Sequence, residues 1–278
     1  MASNLPRRIA VAAVAIPAAI GVVRLGGWLF VGVLSLLGAL GAAEVFHMAR
    51  ARGVRPFTVV GVLGAALIPF LAQTGRVPGP EALAVAILVV MALAVWRRPP
   101  SEGPLAAIAV TILAPLYTAF LPTFALTMRH GIPGYDAWAA TWLVFLPFVT
   151  VWVCDSLAML VGVWIGGPKV APTVSPNKTW SGTIGGVVGA VVAALTWGLL
   201  VVVPHGVVVS PGQLAALGLV IGVVGQVGDL AESLLKREAG VKDSGRLFGA
   251  HGGVLDRLDS LYWAVPVAAM LLGCWGVA

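Results

Sequence analysis

The sequence predicts an all-α, polytopic integral membrane protein of about nine transmembrane helices, with the N-terminus cytoplasmic and the C-terminus outside. Three observations carry this fold class. The 278 residues are 59% hydrophobic and only 10% charged, against about 25% charged in an ordinary soluble domain. Mean hydropathy is +1.00, and the apolar residues come in repeated runs near the length that crosses a bilayer. The basic residues, finally, sort into alternate gaps between those runs.

Arg7 and Arg8 precede the first run, 9–23, which has the charge pattern of a secretory signal. Further apolar runs follow at once without a persuasive cleavage site, so it reads as a retained span, short and with Pro17 inside it. The next runs are 25–45, 57–71, 82–96 and 105–124, then 138–161, 183–203, 214–235 and 254–275. With the N-terminus inside, fourteen of the seventeen basic residues fall in cytoplasmic segments, and only Arg24, Arg76 and Arg129 fall outside. That asymmetry orients the chain and puts the polar segment around residue 245 in the cytoplasm.

A net charge of +6 suits such loops and calls for no nucleic-acid partner. Cys154 and Cys274 fall toward opposite membrane faces and should not pair. Residues 1–137 read as N-terminal membrane-anchor helices and 138–278 as C-terminal catalytic helices, within one continuous membrane domain. No chemistry is expected before Asp155.

Charge is costly to place in an apolar chain, so its concentration marks a site. The 31 residues from Asp229 to Asp259 hold six of the eleven acidic and five of the seventeen basic residues. Asp229, Glu232, Ser233 and Lys236 fall at i, i+3, i+4 and i+7, one face of a helix. Asp256, Asp259 and Ser260 repeat the pattern at the start of the last apolar run. Between them lies a Gly-rich loop with Lys242, Arg246 and His251. Two acidic helix ends bracketing a basic loop suit a phosphorylated substrate bound with a divalent metal. Asp155, inside the sixth run and near its cytoplasmic end, arrives at the same depth. Ion pairing with Lys236, Arg237 and Arg257 could account for one or two of these acids, but hardly for four carboxylates in one layer. The segment after the sixth run carries Ser175, Asn177, Lys178 and Thr179, donors of the kind that hold phosphate oxygens. His47, His130 and His205 sit at span edges without partners.

From Ser233 to Asp259 the chain reads S-x-L-K-R-x4-K-D-x-G-x2-F-G-x-H-G-G-V-x-D-R-L-D. This resembles the signature of the phosphatidate cytidylyltransferases (CDP-diacylglycerol synthases), and it matches at more than a dozen positions. The family also has an S-P-x-K-T segment, matched here by Ser175 to Thr179. The acidic residue that usually follows is Ser181 here, and the aromatic common after the span-six aspartate is replaced by apolar residues.

The resemblance implies a polytopic enzyme of the bacterial inner membrane, its site facing the cytoplasm, that converts phosphatidate and CTP to CDP-diacylglycerol and pyrophosphate. It implies Mg2+, with a second cation left open. Asp229 and Asp256 are the first-choice ligands, supported by Asp259, Glu232 and Asp155. Lys236, Arg237, Lys242, Arg246 and Arg257 would neutralise phosphate. Ser175, Asn177, Lys178 and Thr179 would hold the lipid head or the nucleotide. Asp243 and His251 complete the catalytic candidates; His251 reads equally as base, phosphate donor or turn residue. Whether the chain pairs as a homodimer stays open. Two other readings remain. One is cytidylylation of a different membrane lipid phosphate. The other is an ion-coupled transporter, which the acids' position at one surface, away from the midplane, opposes. The D-G-x2-A-R…G-x3-D-x3-D pattern of the alcohol phosphotransferases is absent.

Overall fold

The computed structural model describes residues 5–75, 80–131, 134–245 and 252–277, with side chains from Ala13 onward. It is all-helical apart from one short hairpin. Helix α1 (Leu5–Leu25) turns at Gly26 into α2 (Gly27–Ala51), followed by α3 (Thr58–Gln73) and α4 (Pro80–Arg97). Helix α5 (Pro104–Pro115) begins with Pro104 at its first position, where the missing N–H costs nothing. It runs on through a π turn (Leu116–Phe120) and a 3-10 turn (Leu121–Thr123) into α6 (Phe124–His130), making one rod.

Asp136 caps α7 (Ala137–Ile165), its carboxylate accepting from Ala139 N at 2.7 Å. Then come β1 (Lys169–Ala171), β2 (Ser175–Thr179) and α8 (Trp180–Trp197), which continues through a second π turn, Gly198–Val202. A Ser210–Gln213 capping box opens α9 (Pro211–Ala239). The last helix is α10 (Leu255–Cys274).

Each apolar run of the sequence maps onto one helix or one interrupted rod, with boundaries that differ by a residue or two in places. Among the described residues, five helices are long and apolar enough to cross a membrane: Gly27–Ala51, Pro104–His130, Ala137–Ile165, Trp180–His205 and Pro211–Ala239. Large apolar side chains lie open on their flanks, Trp164 at 89% and Val163 at 84%. A soluble surface avoids such a belt, and a lipid-facing one requires it. The protein is a membrane protein.

One segment departs from expectation. Residues 169–179, expected as loop, form an antiparallel hairpin with Lys169 opposite Thr179 and Ala171 opposite Ser175. Val174 N closes its turn on Ala171 O at 3.1 Å.

The main core is shared by α1, α2, α6, α7, α8, α9 and α10. Helices α7 and α8 pack tightly because α8 turns a small-residue face inward. A Cβ on Gly186 would sit 2.9 Å from both Ala158 Cβ and the Cys154 carbonyl. A second cluster joins α2, α3 and α5. A third bridges the two halves of the chain, with Met48 of α2 against Ala239, Leu255 and Tyr262. That bridge lies under the polar residues described next.

Candidate active site at the α9–α10 junction

Helix α9 ends at Gly240, which adopts a left-handed conformation (φ 72°), so the chain turns sharply back toward the start of α10. This turn brings together residues that the sequence separates by a loop. Lys236 Nζ, one turn before the end of α9, donates to Glu232 Oε2 (3.0 Å) and across to Asp256 Oδ1 of α10 (2.8 Å). Glu232 is fully buried. An unpaired charge there would be strongly destabilising, and the Lys236 ammonium offsets it.

The other oxygen of Asp256 is crowded with donors. Ser244 N, Ser244 Oγ and Gly253 N each lie 2.8 Å from Oδ2. Asp256 therefore ties the two ends of the Gly-rich loop to each other and to α9. Neither of its oxygens is left without a donor. These donors hold Asp256 in place whether or not a cation is bound.

Lys178 meets the next of these acids. Its Nζ pairs with Asp229 Oδ2 at 2.7 Å and reaches the Gln226 carbonyl at 3.4 Å. Asp155 of α7 and Asp259 of α10 lie close enough to Asp229 for the three carboxylates to repel one another. Asp259 Oδ1 accepts from Ser260 N at 2.7 Å. Gln226, on the buried side, fixes the α7–α8–α9 corner by donating to the Thr183 carbonyl at 3.0 Å.

Among the described residues, no three His, Cys, Asp or Glu side chains converge closely enough to cage a cation. Mg2+ does not need such a cage, since one or two carboxylates suffice when phosphates and waters complete its octahedron. The Asp155–Asp229–Asp259 group offers such carboxylates, with Lys178 ion-paired to Asp229 and negative charge left that a bound cation would neutralise. Glu232 Oε2 and Asp256 Oδ1 share the Lys236 ammonium, while Glu232 Oε1 is buried with no hydrogen-bond partner among the described residues.

Other expected residues are placed as follows. Thr179 is buried, and its hydroxyl caps α8 by accepting from Gly182 N (3.2 Å). Ser181, whose hydroxyl donates to the Gly166 carbonyl, closes the base of the hairpin. Arg237 Nε donates to Val174 O (3.2 Å), pinning the hairpin turn to α9. Ser175 is half-buried on β2, while Asn177 is exposed and its backbone carbonyl accepts from Lys169 Nζ (3.5 Å). Lys242, Asp243 and Arg257 are exposed and make no side-chain hydrogen bond among the described residues. Arg246 and His251 lie outside those residues.

The sequence reading missed Glu44. From α2, in the half expected to be plain anchor, its carboxylate accepts from Ser244 Oγ, Val254 N and Leu255 N, each at 2.9 Å. The signal was present: Glu44 is a lone acid inside the apolar run 25–45, and the rule that singled out Asp155 applies to it equally.

A family model described as the cytidylyltransferase family matches residues 6–275. A phosphatidate cytidylyltransferase of Synechocystis is 30% identical over 94% of this chain and 94% of its own length. One from Brucella melitensis is 46% identical over 55% of this chain and 53% of its own. One from Bacillus subtilis is 29% identical over 85% and 87%. With the match running through all ten helices, the chain belongs to the cytidylyltransferase family.

Proposed function

We propose that the protein transfers the CMP group of CTP to phosphatidate, giving CDP-diacylglycerol and pyrophosphate. The observation that carries this reading is the gathering of Asp155, Asp229, Asp259 and Lys178 at one end of an otherwise apolar bundle, within a chain of this family. A phosphomonoester oxygen of phosphatidate attacks the α-phosphorus of CTP. The bond to the bridging oxygen breaks, and pyrophosphate leaves with the electron pair.

The second pKa of a phosphomonoester is about 6, so the nucleophile is already largely dianionic at neutral pH. No activated Ser, Cys or His is then required. Two polyanions must instead be held in line and their charge neutralised. Lys178 stands in the polar cluster for that purpose, and exposed Lys242 and Arg257 flank the loop. Asp229, Asp259 and Asp155 would hold Mg2+, which when bound supplies charge neutralisation at the phosphates.

The same reading places the site on the cytoplasmic face of a bacterial inner membrane, where CTP enters from water and the acyl chains stay in the bilayer. It takes the helical rods as nine crossings, N-terminus inside. The fourteen-to-three distribution of basic residues supports that orientation.

The test is purified protein with phosphatidate, CTP labelled at the α-phosphate, and Mg2+. The expected result is label in CDP-diacylglycerol with equimolar pyrophosphate. No transfer to any lipid phosphate would refute the reading. Efficient transfer only to a different lipid phosphate would replace its acceptor.

A further inference from the structure

Glu44 accounts for more of the loop's attachment than any residue of the signature except Asp256. Its Oε1 accepts the amide of Val254, and its Oε2 accepts both the amide of Leu255 and the hydroxyl of Ser244. The amides are among the unpaired N–H groups at the start of α10, and a carboxylate there also meets the positive end of the helix dipole. No side chain of α10 or its own N-cap supplies this cap. It comes from a different helix, about 210 residues earlier in the chain.

The approach is built in. Gly38 and Gly41 let α2 close on the π turn and on α10; a Cβ on Gly41 would lie 3.1 Å from both Thr118 Cβ and the Tyr262 hydroxyl. At the other end, Gly245 and Gly253 leave the space that the Glu44 carboxylate fills. Among the described residues these three donors are the partners of the Glu44 carboxylate. Ser244 is buried and stands between Glu44 Oε2 (2.9 Å) and Asp256 Oδ2 (2.8 Å). Its single hydroxyl proton can serve only one of them at a time.

We propose that Glu44 is a positioning residue for the reaction: by holding Ser244 and the first turn of α10, it sets the depth and rotation of the helix that carries Asp256 and Asp259. This rests on the cytidylyl-transfer reading above. Glu44 touches no substrate in this account and acts through α10. Removing its charge should therefore lower turnover more than it weakens nucleotide binding.

Glu44→Gln places an NH2 group where two backbone N–H groups and a hydroxyl need an acceptor. Losing hydrogen bonds to a charged group corresponds to about ten- to a hundredfold in kcat. The apparent KM for CTP should move by less than about threefold. The amides of Val254 and Leu255 should exchange hydrogen faster, read by mass spectrometry on detergent-purified protein. Glu44→Asp keeps the charge but withdraws it by about 1.5 Å, one C–C bond. It should show both effects in milder form, and it carries the test where the Gln variant fails to accumulate. A folded variant with wild-type kcat, or one that loses kcat with exchange at Val254 and Leu255 unchanged, overturns the proposal. Wild-type protein that makes no CDP-lipid would instead sink the cytidylyl-transfer reading, and the exchange measurement would still report on the cap.

Discussion

Neutralising Asp256 and neutralising Asp229 should both silence the enzyme, for different reasons. Asp256 joins Lys236 on one oxygen and three loop donors on the other. In Asp256→Asn, whichever way the amide turns, an NH2 group faces either the ammonium or the loop donors. The loss is one of architecture. On the proposed reading Asp229 and Asp259 help to hold the cation, so Asn there would weaken that hold. We expect all three variants to lose at least about tenfold in turnover, and EDTA to abolish the wild-type reaction. Initial rates against Mg2+ concentration separate them. Asp229→Asn or Asp259→Asn should recover partly at high Mg2+, whereas Asp256→Asn should not. Recovery of Asp256→Asn by excess Mg2+ would return it to the list of ligands.

Among the elements, the hairpin is the informative one. The helices were legible because each is an apolar run of the right length. The hairpin was not, because Ser175–Thr179 lacks the alternation that marks a half-buried strand. It is held instead by backbone pairing, by Arg237 reaching Val174 O, and by Thr179 at the start of α8. The two π turns were equally hidden, since a uniformly apolar run cannot show a one-residue change of register. If Thr179 is a cap and not a phosphate ligand, Thr179→Ala should cost about 1 kcal/mol of stability. The melting temperature in detergent should fall, the KM for both substrates should stay put, and Thr179→Ser should restore the melt. A raised KM with an unchanged melt would restore its phosphate-binding role.

At the scale of the whole molecule, the all-helical membrane character was legible in the sequence, and the signature packs most of the candidate site residues into one short stretch. The sequence hid the contact between halves. Periodicity speaks of one helix at a time, and nothing in the α2 run announces which distant amides Glu44 meets. Orientation is the prediction that belongs here. Nine crossings from a cytoplasmic N-terminus leave the C-terminus outside, so a reporter fused after residue 278 should be active only in a form that works outside the cytoplasm. Activity of a cytoplasm-only reporter would remove one crossing or invert the chain.

The Glu44 contact also bears on which parts of such a chain are interchangeable. Grafting residues 138–278 onto a foreign set of leading helices would deliver every residue of the signature and still leave the first turn of α10 without its acceptor. A working chimaera has to bring a carboxylate to the same spot. The seam between donor and host therefore belongs before α2, not at the boundary that charge density draws.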